Sequence, residues 1–188
     1  MGQAISWMGI RGLSREEICK RLDAVDSGNA CDEHETKLAL AELANGWTII
    51  RSKQFDYPSP KRLKTLSQAA EVLAGQIEEH VMVSLARGFR DGAQVWSVIH
   101  DPEKGRYSLA IEGEPPAEFA PIHERLRREQ DEEGGEGADV DVIIEAPAQL
   151  IAALCGYQPN EPPFPAFTAL QPVRRGLSST LAGMFGRR

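Results

Sequence analysis

A chain of 188 residues, of which 41% are hydrophobic and 26% charged, can bury a core in one domain, which excludes a wholly disordered protein and a fold held only by disulfides or metal. The formal net charge of −7 argues against nucleic-acid binding over the whole surface, because a polyanion is attracted by clustered Lys and Arg. The sequence contains neither an apolar run of membrane-spanning length nor a basic region followed by an apolar run, so we expect no membrane span and no signal peptide.

The cysteines are odd in number and widely spaced, at Cys19, Cys31 and Cys155, which is typical of free thiols in a reducing compartment. Cys31 and His34 have a spacing that could serve one metal ion. A structural zinc site needs a second pair of ligands, however, and the sequence has none. We therefore expect a cytoplasmic protein with no metal and no cofactor.

The amino terminus supports two interpretations. Met1-Gly2-Gln3-Ala4-Ile5-Ser6 matches the short pattern for N-myristoylation at Gly2. The alternation of the residues from Ala4 to Ile10 instead predicts a first β-strand, which would bury the acceptor region. We favour the strand.

The first predicted helix begins at Ser14. In the capping box Ser14-Arg15-Glu16-Glu17, the Ser14 side chain accepts from the Glu17 N–H, and the Glu17 side chain accepts from the Ser14 N–H. Its buried stripe consists of Ile18, Leu22 and Val25. The turn residues Ser27-Gly28-Asn29 are expected to end this helix.

A hairpin follows, formed by the alternating run Lys37–Leu43 and the β-branched run Trp47–Ile50. Asn45-Gly46 between the two runs predicts a type I′ turn, because both central residues of that turn need a positive φ. Ser59-Pro60 then begins a second helix, with Ser59 as its N-cap and Pro60 at its first position.

The middle of the chain is predicted to be an antiparallel meander. Its strands are Glu71–Ile77, Ser84–Arg90, Val95–Ile99 and Tyr107–Ile111. Asp91-Gly92 and the segment Asp101–Gly105 form its turns. Strands joined by such short turns must be antiparallel, because a parallel return needs a crossover of about a dozen residues or more.

A third helix is predicted from the helical spacing of Phe119, Ile122 and Leu126, with its regular part beginning at Pro121. The acidic, glycine-rich segment Glu129–Gly137 predicts a solvent-exposed loop. The remaining predicted elements are a strand at Val140–Ile144 and a short helix at Pro147–Leu154 that ends at Gly156.

These elements predict an α+β domain over residues 1–157, in which about four helices pack on an antiparallel meander sheet. Prolines become frequent after Gln158, and Gly, Ser and Arg dominate the last residues. We therefore expect residues 158–188 to form an extended or disordered Pro-rich tail, with a short helix at Leu177–Phe185.

Two histidines suggest an enzymatic alternative. On a strand, Glu78 and His80 lie on the same face, and His100 ends a neighbouring strand. Together these three side chains could perform acid–base catalysis. A solvated strand end explains the same residues, and the sequence contains no recognisable nucleophile motif or phosphate-binding loop beside them.

Charge placement is the most unusual feature. The segment from Glu129 to Glu145 contains eight carboxylates and no Lys or Arg. The predicted partner-binding residues within it are Glu129, Asp131, Glu132, Glu133, Glu136, Asp139 and Asp141. A charge run is commonly a solvated surface, and the alternative is a surface kept for a basic partner. The basic residues of the tail could also fold back onto it.

The segment Gly12-Leu13-Ser14-Arg15-Glu16-Glu17-Ile18 after a short strand, with Asn45-Gly46-Trp47 in a hairpin, resembles small bacterial α+β proteins, some of them immunity proteins of toxin systems. The resemblance covers the first fifty residues and carries over no catalytic residue. It implies an α+β fold and a protein partner. The Pro-rich tail departs from such compact proteins.

We therefore expect a protein-binding module, an immunity-type or inhibitor protein that presents an acidic surface to a basic partner. The alternatives are a small enzyme with a site around Glu78, His80 and His100, and an assembly protein that docks onto neighbouring subunits through its tail. The sequence leaves the partner and the oligomeric state open.

Overall fold

The computed structural model describes residues 4–32, 34–162 and 164–173. In that part of the chain, nine strands form a single antiparallel sheet with the order β2-β9-β3-β4-β1-β5-β6-β7-β8. The strands are β1 (Ala4–Arg11), β2 (Ala24–Ala30), β3 (Leu38–Glu42), β4 (Thr48–Ser52), β5 (Glu71–Glu78), β6 (Val83–Arg90), β7 (Ala93–His100), β8 (Leu109–Gly113) and β9 (Thr168–Pro172). The helices are α1 (Arg15–Arg21), α2 (Pro60–Leu66), α3 (Phe119–Glu132) and α4 (Glu145–Cys155). The predicted α+β class, antiparallel sheet and four helices are confirmed.

Helices cover both faces of the sheet. On one face, α1 and α2 pack through Ile18, Leu63 and Leu66 onto Met8 and Ile50. On the other face, α4 packs onto a core that is rich in tryptophan, formed by Trp7, Trp47, Trp96, Ile49 and Leu73. Strand β1 lies at the centre of the sheet, and its side chains point alternately into the two cores. Six of its eight residues are therefore buried.

Local signals explain the correctly predicted elements. The Ser14 capping box is present, and the Ser59 side chain accepts from the Arg62 N–H, with Pro60 at the start of α2. Asp91 and Gly92 have φ values of 51° and 78°, as a type I′ turn between β6 and β7 requires. The meander β5-β6-β7-β8 follows the predicted order.

The predicted hairpin at Asn45-Gly46 is confirmed, but its predicted type I′ turn is wrong. Gly46 has a φ of 86°, whereas Asn45 is not among the residues with positive φ. The Leu43 N–H instead donates to the Trp47 carbonyl at 2.8 Å, which closes a longer loop. The Asn45 side chain is used in packing, since its Nδ2 donates to the Cys155 carbonyl at 2.9 Å.

The prediction that the first helix continues to Ser27 is wrong. Helix α1 ends at Arg21, and Asp23 has a φ of 52°, which no α-helical residue adopts. The turn-forming residues Ser27-Gly28-Asn29 lie in strand β2, which pairs with β9. Gly28 lies where the register between these strands shifts, so its positive φ belongs to a strand irregularity.

The predicted strand at Val140–Ile144 is also absent from the described chain. The Gln130 side chain bonds to backbone groups of this segment that a neighbouring strand would otherwise pair with. Its Nε2 donates to the Gly135 and Val140 carbonyls, and its Oε1 accepts from the Val142 N–H. One buried amide therefore satisfies the backbone of this segment, which stays irregular.

The third helix begins at Phe119, two residues before Pro121, so the proline lies in its first turn, where it is tolerated. The helix also extends through Glu132, into the segment predicted as a loop.

Part of the predicted tail belongs to the sheet. Strand β9 lies between β2 and β3, and Leu170 on it is buried among the residues that pack against α1 and α2. The predicted boundary between residues 157 and 158 therefore does not mark the end of the sheet. The predicted helix Leu177–Phe185 and the candidate lipidation site Gly2 lie outside the described residues. Of the helices described, none combines the length and the apolar composition that crossing a membrane requires.

Candidate functional site

The carboxylates predicted to bind a partner lie on the last turn of α3 and in the loop after it. Three of those at the surface already have partners within the chain. These contacts are Arg125 Nη1 to Glu129 Oε2 at 3.2 Å, the Tyr107 hydroxyl donating to Asp131, and the Arg106 backbone N–H donating to Glu136 Oε2 at 3.1 Å. The turn between β7 and β8 thus donates hydrogen bonds to two carboxylates of the acidic segment, and Arg125 on α3 forms an ion pair with a third.

Asp141 is buried and is not a surface residue. Its Oδ2 lies 3.0 Å from His100 Nε2 and 3.4 Å from Arg106 Nη1, and neither the Asp141 nor the His100 side chain has any exposed area. The other ring nitrogen of His100, Nδ1, lies 3.0 Å from the Ser108 carbonyl. This buried pair attaches the acidic segment to the sheet and cannot contact another protein.

Glu132, Glu133 and Asp139 are the remaining predicted binding residues, and all three are exposed. The side chain of each forms no hydrogen bond or ion pair with any residue that the structure describes. They contribute negative charge to the surface, but none of them lines the cavity in which other carboxylates meet.

That cavity, here called the α4 cavity, has a volume of about 610 Å³. Glu79, Glu145 and Glu161 contribute the carboxylates, and the amides Gln149, Gln158 and Asn160 contribute further polar groups. Its other lining residues are Ile77, Ala152, Gly156, Pro159 and Pro162. Among the described residues of the lining there is no Lys, Arg or His, so the charge that they place around the cavity is negative.

Three separate parts of the fold bring these carboxylates together. Glu79 lies in the turn after β5, and Glu145 is the first residue of α4. Helix α4 ends at Gly156, whose φ of 79° turns the chain back toward the start of the helix. The returning loop places Gln158 Nε2 3.4 Å from Glu145 Oε2 and carries Glu161 to the opening of the cavity.

Glu145 is the half-buried member of this group. Burial raises the pKa of its carboxyl, repulsion from Glu161 and Glu79 raises it further, and the hydrogen bond from Gln158 opposes both effects. No three His, Cys, Asp or Glu side chains in the described chain are grouped closely enough to hold a metal ion.

Replacing Glu145 with glutamine is expected to stabilise the protein at neutral pH. A carboxyl whose pKa is raised by folding contributes its full stability below its unfolded pKa, and this contribution is lost as the pH rises through the folded value. The variant should therefore melt about 1–3 °C above the wild type at pH 7, a small shift because the site is partly solvated.

The same comparison at about pH 3, below the ordinary pKa of a glutamate, should show little difference, because Glu145 of the wild type is then largely protonated in both the folded and the unfolded state. Thermal unfolding of both proteins between these pH values measures the effect. A variant less stable than the wild type at pH 7 would contradict the electrostatic account.

The residues of the enzymatic alternative do not converge. His80 Nδ1 lies 2.7 Å from Glu78 Oε1, as expected for side chains sharing one face, but the His80 side chain is 63% exposed. His100 is fully buried and bound to Asp141 and Ser108. These side chains therefore form two separate contacts, one on the surface and one in the core.

Sequence patterns alone do not reveal the α4 cavity. They place Glu79 at a strand end, Glu145 at the edge of the acidic segment and Glu161 in the tail. One sequence signal for the α4 cavity is Gly156, which is followed by a polar, proline-containing segment. A glycine that ends a helix in a tight reversal can direct the following residues back along the surface of that helix.

Comparison with known proteins gives no further assignment, since no protein-family model, no curated protein and no solved structure matches the chain.

Proposed function

We propose that the protein is a protein-binding module, of the immunity or inhibitor type, which receives basic side chains of another protein in the α4 cavity. The observation that carries this proposal is that the exposed Glu79 and Glu161 and the half-buried Glu145 line one open cavity, with no cationic side chain among the described residues that line it.

A guanidinium or ammonium group fits the chemistry of this cavity. Carboxylates held together at a partly dehydrated site destabilise one another, and an entering cation removes that repulsion. Arginine offers five N–H donors, which the three carboxylates and the carbonyl oxygens of Gln158 and Asn160 can accept. Binding should therefore lower the pKa of Glu145 toward its ordinary value.

The net charge of the protein also favours a basic partner. A net charge of −7 attracts a basic protein before contact and accelerates association at low ionic strength. The exposed carboxylates of the acidic segment contribute to this attraction through charge alone.

The two alternatives have less support in the described chain. The described lining of the α4 cavity includes no Ser, Thr, Cys, Lys or His side chain that could act as a nucleophile or an imidazole base. Within the Pro-rich segment, Thr168–Pro172 form β9, which pairs with β2 on one side and β3 on the other, so this strand has no open edge to offer a neighbouring subunit.

Affinity capture from the native host, followed by mass spectrometry, tests the proposal with two matched variants. The cavity variant carries Glu79→Gln, Glu145→Gln and Glu161→Gln. The control variant carries Glu132→Gln, Glu133→Gln and Asp139→Asn. Both remove three negative charges, so long-range attraction is reduced equally.

We expect the wild type and the control variant to recover the same basic protein and the cavity variant to lose it. Recovery of that protein by the cavity variant, or its loss from the control variant alone, would contradict the assignment of the binding site. Recovery of only acidic proteins would contradict the proposed function.

A further inference from the structure

Strand β8 leaves an open sheet edge. Within the described residues it pairs only with β7, and four of its five residues, Ala110–Gly113, are exposed. The backbone groups on its outer side therefore have no described strand to bond with, and Ile111 exposes 44% of its surface. Such an edge accepts an added strand unless it is covered or protected by charge.

A groove of about 520 Å³, here called the edge groove, opens at the end of this strand. Leu73, Phe89, Trp96 and Pro116 give it an apolar lining, and Gly113 belongs both to the lining and to β8. A chain paired with β8 would thus pass directly beside a pocket large enough for one or two side chains. An open edge next to such a pocket is the arrangement by which sheets bind extended peptides.

The indole of Trp96 contributes an unused hydrogen-bond donor to this groove. Trp96 is only 5% exposed, and its Nε1–H makes no hydrogen bond to any residue in the described part of the chain, but Nε1 is not among the fully buried polar atoms that lack a partner, so solvent in the groove reaches it. The indole lies directly over Gly88, where a Cβ would come within less than 3.0 Å of Nε1, and Gly88 also lines the groove. A carbonyl on a ligand in the groove would accept from this N–H in place of solvent.

We propose that β8 and the edge groove bind an extended, basic segment of a polypeptide by strand addition. The backbone of that segment pairs with β8, one of its carbonyls accepts from Trp96 Nε1, and an apolar side chain enters the groove. This proposal is independent of the α4 cavity. The two sites lie at opposite ends of β5, at Glu71 and Glu79 respectively, roughly 25 Å apart at about 3.3 Å per residue.

The charge of the residues around β8 indicates which kind of polypeptide segment would bind there. Residues 107–124 contain four glutamates, Glu112, Glu114, Glu118 and Glu124, and neither Lys nor Arg. Arg90, which lines the groove, is paired with Glu71 at 3.2 Å. Glu114 at the rim has no partner among the described residues, so a Lys or Arg next to the apolar anchor is favoured.

Nuclear magnetic resonance on the full chain tests this inference. The probe is an acetylated, amidated octapeptide of alternating Arg and Val, added to the ¹⁵N-labelled cavity variant so that the α4 cavity does not compete. We expect a saturable shift of the Trp96 indole signal. The indole signals of Trp7 and Trp47, which are buried in the core, serve as internal references.

Two altered peptides and one protein variant serve as controls for strand addition, for charge and for the hydrogen bond from Trp96. The same octapeptide with alternate backbone nitrogens methylated cannot add as a strand, and an octapeptide of alternating Glu and Val reverses the charge. Neither should shift Trp96. Trp96→Phe should weaken binding about fivefold, the factor expected for one hydrogen bond of about 1 kcal/mol.

An unchanged Trp96 signal, or an equal shift with the methylated peptide, would overturn the inference even if the α4 cavity proves to bind a partner. Because the methylated peptide is compared on the same protein, this outcome does not depend on the folding of the Trp96 variant.

Discussion

Replacing His100 with alanine is expected to destabilise the protein by about 3–5 kcal/mol, since it leaves a cavity in the core and removes a hydrogen-bond partner of the buried Asp141 carboxylate. Asp141 would keep Arg106 Nη1 at 3.4 Å and the Ile143 N–H at 3.1 Å, but it would lose its buried partner at 3.0 Å. For a domain of this size the melting temperature should fall by about 10 °C or more.

The matched control is His80→Ala. His80 also lies beside a carboxylate, at 2.7 Å from Glu78, but it is exposed, so its removal should cost no more than about 0.5 kcal/mol. Chemical denaturation of the two variants compares the effects. Equal losses in both would show that the buried pair does not stabilise the fold.

The double variant His100→Leu with Asp141→Leu adds a further test. Replacing both members of a buried hydrogen-bonded pair with apolar residues often costs little, so the double variant should be more stable than His100→Ala. If the losses at the two positions instead add, the residues stabilise the fold separately and the acidic segment is attached by other contacts.

The second large effect is expected from Gly75→Ala, which should cost about 2–3 kcal/mol through overpacking. Gly75 is opposite Trp7 on neighbouring strands, and the indole of Trp7 covers it. A Cβ at residue 75 would lie less than 3.0 Å from the Trp7 ring, which is only 1% exposed and tightly packed.

Gly137→Ala provides the control, because no atom of the described residues lies within 4 Å of the place that a Cβ would occupy there, and its φ is not positive. That variant should change the free energy of unfolding by less than about 0.5 kcal/mol. Combining Gly75→Ala with Trp7→Leu should recover part of the loss, since the smaller side chain frees the space. A combined loss equal to the sum of the single losses would show that the ring and the glycine are not in conflict.

Much of the fold follows from short stretches of sequence. The capping box at Ser14, Ser59-Pro60 and Asp91-Gly92 each determine a local structure, and the structure confirms all three elements. The meander follows because its strands are joined by short turns, which leave only antiparallel pairing.

The remaining elements depend on contacts between distant residues. Strand β9 pairs with β3 and β2, and the Thr168 hydroxyl donates to the Leu40 carbonyl across 128 residues of sequence. Nothing within the proline-rich segment signals that pairing. The absence of a strand at Val140–Ile144 depends in the same way on the side chain of Gln130.

The candidate site is also a product of tertiary structure. The carboxylates nearest to one another in sequence proved to be exposed to solvent, engaged with Tyr107 and Arg125, or buried beside His100. The α4 cavity instead combines Glu79, Glu145 and Glu161 from three separate segments. Sequence composition indicated an acidic protein, and only the fold shows which carboxylates share a cavity.

Titration calorimetry with an acetylated, amidated hexa-arginine peptide tests the α4 cavity most directly. At low ionic strength, we expect the cavity variant to bind this peptide about tenfold more weakly than the wild type, a loss of about 1.4 kcal/mol. The control variant, with the same net charge, should stay within about threefold of the wild type. Equal weakening in the two variants would show that only net charge is recognised, and would contradict the central claim that the α4 cavity receives basic side chains.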